Sequence, residues 1–134
     1  MKATVDTNIL IRAAVGDDRQ QAEAAAATLK NADLIAVTLP CLCEYVWVLR
    51  RVYRFGDADI AASVETLLEA ANVVAERPAV AAGLDILKAG GDFADGVIAY
   101  QGRWLGGDTF VSFDKAALAL TARQGWATAM PDLS

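Results

Sequence analysis

Short β-prone runs alternate along this chain with longer helical patterns, and that alternation constrains the fold more than any other feature. It implies an α/β chain: three layers, α/β/α, around a central, mostly parallel sheet of four to five strands. The runs fall at Lys2 to Val5, Leu34 to Val37, Asn72 to Ala75 and Thr109 to Phe113, with Ala127-Thr128 as a possible edge. Between them lie the helical patterns: one from Ile9, an alanine-rich one over Arg19 to Lys30, and Cys41 to Phe55 opened by Thr38-Leu39-Pro40. Next comes Ala58 to Leu68, with Asp57 as its expected cap and Gly56 as the expected stop of the helix before it. Ala79 to Lys88, Phe93 to Leu105 and Lys115 to Gln124 complete the series, each closed by glycine.

At 134 residues the chain has the size of one domain, and residues 1–134 are expected to form a single one. The first fifteen residues carry Asp6, Asn8 and Arg12, so no export signal is read there, and the most apolar stretch is interrupted by Pro40 and Glu44. A cytoplasmic protein is expected. The two cysteines, Cys41 and Cys43, are too close on one helix to bridge each other, and the chain has no histidine. A zinc finger, a catalytic zinc triad and an imidazole-based active site therefore lack their parts. The net charge of −5 disfavours a broad basic grip on nucleic acid, unless the acids line a pocket that binds cations.

In open parallel sheets the functional crevice lies past the carboxyl ends of the strands. Asp6 follows the first strand and Asp114 the Thr109–Phe113 run, with Thr7, Asn8 and Ser112 beside them. Both acids also suit helix N-caps, and so does the Asp92–Asp95 pair in its own first turn. Glu44 shares a helix face with Cys41, Trp47 and Val48 and has no basic residue three or four positions away. It needs a distant cation, a raised pKa or a metal. Gathered in one pocket, such carboxylates repel by roughly 3 kcal/mol per pair at an effective dielectric near 20. An oxygen-preferring ion, Mg²⁺ or Mn²⁺, would relieve that repulsion.

Val5-Asp6-Thr7-Asn8, the lone Glu44 early in a helix, Asp92-Phe93-Ala94-Asp95 with Ile98-Ala99, and Ser112-Phe113-Asp114-Lys115 together resemble the PIN-domain ribonucleases, and among them the VapC-like toxins. The resemblance spans nearly the whole chain in motif order, spacing and length. It implies a PIN-like fold and puts the catalytic acids at Asp6, Glu44, Asp95 and Asp114, with Asp6, Asp95 and Asp114 on the metal. Thr7, Asn8, Ser112 and Asp92 fall at supporting positions, and Ser112 stands where threonine is common. The resemblance further implies an Mg²⁺- or Mn²⁺-dependent endoribonuclease using metal-activated water, the toxin of a VapBC-type pair. Its partners would be RNA, a cognate VapB-like antitoxin and a second copy in a homodimer.

Two other classes compete. A receiver-like phosphoacceptor domain also binds Mg²⁺, but it needs paired acids after the first strand, where only Asp6 stands. A non-catalytic PIN-like binding module would keep the acids only as caps and ion pairs. The basic residues Arg50, Arg51 and Arg54 on one helix, and Arg12, Arg103, Lys115 and Arg123 elsewhere, assign no RNA-binding surface. Tyr45, Trp47 and Tyr53 read as core or subunit-interface residues, which places the helical hairpin in the expected dimer contact.

Overall fold

A computed structural model describes residues 1–133. The chain divides into two compact units, Met1–Glu76 and the segment from Arg77 onward. All five strands among the described residues pair in parallel, three in the first unit and two in the second. The expected α/β class with parallel strands is what the chain adopts.

The first unit runs β1 (Lys2–Thr4), α1 (Thr7–Val15), α2 (Arg19–Asn31), β2 (Leu34–Ala36), α3 (Leu39–Arg51), α4 (Asp57–Glu69) and β3 (Val73–Val74). Its sheet has the order β1-β2-β3, with Lys2 opposite Leu34 and Ile35 opposite Val73. Central strand β2 buries Ile35 completely, which explains why its short run is apolar where β1 begins with lysine. Leu42, Leu49, Ile60 and Val64 fill the core of this unit from α3 and α4. Tyr45 is buried on the same side of α3, and its hydroxyl hydrogen-bonds Ser63 of α4.

The turn between α3 and α4 departs from expectation. α3 ends at Arg51 rather than near Phe55, and the left-handed residue of the turn is Arg54, at φ 61°. Gly56 has an ordinary φ of −69° and serves as the N-cap of α4, while Asp57 is already its first helical residue. Glycine's freedom is therefore unused there. The turn is held by contacts across it: Phe55 N–H donates to the Leu49 carbonyl, and Arg50 pairs with Asp57 at 3.2 Å.

The second unit runs α5 (Arg77–Lys88), α6 (Phe93–Trp104), β4 (Thr109–Val111), α7 (Lys115–Arg123) and β5 (Ala127–Ala129), with β4 and β5 paired. α5 begins two residues before the expected Ala79, with Pro78 in its first turn, where a missing N–H costs nothing. α5 and α6 approach very closely. A Cβ on Gly96 would lie 2.3 Å from the Ala82 carbonyl oxygen, and one on Gly83 would lie 2.7 Å from the fully buried Phe93 ring. Only glycine fits at either place, and Gly96 directly follows Asp95.

Candidate metal centre

Asp6 ends the segment after β1 in an extended conformation and caps α1, its Oδ1 accepting the Thr7 N–H at 2.7 Å. That bond uses one carboxylate oxygen and leaves Oδ2 toward solvent, since Asp6 is exposed. The buried Thr7 hydroxyl donates to the Cys41 sulfur at 3.8 Å, tying the start of α1 to the start of α3. Glu44 lies one turn further along α3, and the two acids line one hollow of about 260 Å³ with Asn8, Arg12 and Tyr53. Burial raises the pKa of the Cys41 thiol; the charges of Asp6 and Glu44 push it the same way, against the Thr7 hydrogen bond.

Glu44 is exposed rather than set in an apolar environment. On its face of α3 Cys41 is buried but Trp47 is 56% exposed, so water, not a distant arginine, meets the carboxylate. No ion pair to Asp6 or Glu44 occurs among the described residues. The nearby cation, Arg12, pairs instead with Asp17 at 3.0 Å, and the Tyr53 hydroxyl donates to the other Asp17 oxygen at 3.0 Å. The Tyr53 bond first, and the Arg12 bond after it, hold the Asp17 carboxyl below its ordinary pKa, while Asp17 raises that of Arg12.

In the second unit, Asp92 caps α6 through the Ala94 N–H at 3.1 Å, and Asp114 caps α7 through the Ala117 N–H at 3.1 Å. Ser112 accepts the Asp114 N–H at 3.0 Å, which fixes the backbone that presents this acid. Asp95 sits in the first turn of α6, partly buried, with its N–H on the Asp92 carbonyl. Its pKa is raised, by burial first, then by the negative charges of Asp92 and Asp114. Asp92 and Asp114 therefore both repel the Asp95 carboxylate, and no cationic side chain pairs with any of the three among the described residues.

Each unit thus presents predicted acids with at least one carboxylate oxygen free of a protein partner: Asp6 with Glu44, and Asp95 with Asp114. Among the described residues, no group of three or more acid or thiol side chains forms a ready cage for a metal. Mg²⁺ takes one or two carboxylates directly and keeps several waters, so an under-neutralised pair of hard oxygen donors fits it better than a closed cage would. Asp6 in the first unit, and Asp95 and Asp114 in the second, each offer such donors.

The family model described as PIN domain matches residues 3–123. This chain belongs to the PIN domain family. The match covers every acid discussed above, and PIN domains are typically metal-dependent nucleases. No match was found among curated protein sequences. Within this PIN domain, sequence reading gave Arg12 no role, although it shares the hollow of Asp6 and Glu44. The available signal was its spacing of four from Asn8, which puts both on one face of α1. The Asp17–Tyr53 contact left no signal, because it joins residues 36 positions apart.

Proposed function

We propose that this PIN domain is an Mg²⁺- or Mn²⁺-dependent endoribonuclease, the toxin of a VapBC-type pair, acting in the cytoplasm as a homodimer. Residues 1–134 serve as one catalytic domain in this reading. The observation that carries it is Asp95, partly buried beside Asp92 and Asp114, its pKa raised by burial first and then by their charges, with no cationic side chain paired to it among the described residues. The helix dipole favours an acid in this first turn, but it does not offset the burial and like charges that Asp95 meets there. No helix among the described residues is long and apolar enough to cross a membrane.

When bound, the divalent ion supplies charge stabilisation for the phosphodiester and acidifies a water molecule. The chain's own residues do the rest. Asp6 and Asp114 would hold the ion through the oxygens their capping bonds leave free, and Asp95 through a carboxylate that caps nothing. The Glu44 carboxylate orients the attacking water and accepts its proton. Ser112 and Thr7 fix the backbone and entry angle of the acids they adjoin, Asn8 offers a neutral amide at the rim, and Asp92 holds the first turn of α6.

The test is cleavage of single-stranded RNA with Mn²⁺ by the wild type and by Asp6→Asn, Glu44→Gln, Asp95→Asn and Asp114→Asn. Each single change is expected to lower kcat at least a hundredfold, and Asp6→Asn with Asp95→Asn little further than either alone, because both serve one reaction. Full activity in Asp95→Asn would remove the proposal. Co-expression with the product of a small neighbouring gene that relieves growth arrest would support the toxin assignment.

A further inference from the structure

A second hollow of about 500 Å³ lies between α1 and α2 of the first unit, adjoining the Asp6–Glu44 pocket. Asn8 and Arg12 line both, so they form the ridge between them. The floor is aliphatic, built from Ile9, Ala24 and Ala25, because the alanine run of α2 presents no longer side chain there. Gln21 and Thr28 add an amide and a hydroxyl. The only charged residue in the lining is Arg12, and it is positive.

We propose that this groove is a nucleobase subsite for the ribonucleotide flanking the cleaved bond, and that Arg12 binds the phosphate that crosses the ridge. The inference rests on the nuclease reading above and names where its substrate lies. A flat heterocycle matches an aliphatic floor edged by carboxamides, since asparagine and glutamine amides pair with the donor and acceptor edges of bases. Arg12 is pre-positioned for a phosphate. Asp17 occupies one side of the guanidinium, Tyr53 steadies Asp17, and the remaining N–H groups are free among the described residues. An arginine held this way loses less conformational freedom when it takes an anion.

The experiment measures cleavage by the full chain with Mn²⁺ on short single-stranded RNAs, intact or carrying one abasic nucleotide at each position around the cut. One flanking abasic position is expected to raise KM about tenfold with kcat changed less than twofold. Ala24→Leu, an exposed position that fills the groove, should raise KM equally on intact RNA and erase the difference between intact and abasic substrates. Arg12→Ala should raise KM and reduce the salt slope of log KM by about 0.7, the share of one phosphate on a single strand, with Arg12→Lys recovering part. A folded Ala24→Leu variant with wild-type KM, or abasic substrates that behave as intact ones at every position, overturns the subsite while leaving the nuclease reading intact. Should the wild type cleave no RNA, the nuclease reading fails on its own. Fluorescence anisotropy of the same RNAs in EDTA then decides the subsite: the same abasic and Ala24→Leu losses support it, and absence of binding overturns it.

Discussion

Replacing Asp95 by asparagine is expected to raise the melting temperature of the metal-free protein at neutral pH. Asp95 is partly buried beside Asp92 and Asp114, and its first-turn position in α6 gives it a favourable interaction with the helix dipole. The dipole contributes about 0.5 kcal/mol at such a site. Against it, burial first and then the two like charges disfavour the ionised form, together by roughly 1–2 kcal/mol for a partly exposed group. The unfavourable side wins by about 1 kcal/mol. For 134 residues the unfolding entropy is roughly 280 cal/mol/K, so the gain is about 3–4 °C.

The pH dependence has a definite sign. A carboxyl whose folded pKa is raised binds its proton more tightly in the native state, so it lowers stability as pH climbs from the ordinary carboxyl value through the raised one. The advantage of Asp95→Asn should therefore be absent near pH 3.5, grow through that window and stay constant above it. Thermal melts followed by circular dichroism in EDTA, across pH 3.5 to 8, measure this. Excess Mn²⁺ should reverse the order, because the wild type gains more from binding. A lower melting temperature for the variant at pH 7 in EDTA, or an increment that does not change with pH, would refute the reasoning.

Gly96→Ala forces a methyl to 2.3 Å from a backbone oxygen, so α6 must move; a loss of about 2–3 kcal/mol, measured by urea denaturation, is expected together with weaker Mn²⁺ binding. Thr121 buries a hydroxyl with no hydrogen-bond partner among the described residues, so Thr121→Val should be neutral or stabilise by about 1 kcal/mol in the same assay. Asp6→Asn should keep the capped start of α1 and its melting temperature while losing cleavage, whereas Asp6→Ala should lose about 1 kcal/mol as well. Light scattering should give the mass of a dimer, and Trp47→Glu, at an exposed position of the α3–α4 hairpin, should give that of a monomer.

Elements whose signals are local were legible in the sequence. Asp6, Asp92 and Asp114 cap the helices that follow them, Thr38 caps α3 with proline behind it, and Gly106 and Gly125 supply left-handed stops. The α3–α4 turn was misread because glycine is the commonest left-handed residue, while here the Phe55 N–H bond to the Leu49 carbonyl and the Arg50–Asp57 pair hold a turn that has Arg54 in that conformation. The exposure of Glu44 was misread because its helix neighbours are apolar, yet apolar residues on α3 are themselves partly exposed. The groove beside α1 was invisible, since it depends on how closely two helices lie rather than on either helix alone.

Three of the acids carry a second duty: Asp6, Asp92 and Asp114 each spend one oxygen on closing the first turn of a helix. Selection on folding would thus preserve them in a descendant that had lost all chemistry. Glu44 and Asp95 make no such bond, so in comparing relatives of this chain it is those two positions whose erosion would date the death of the enzyme.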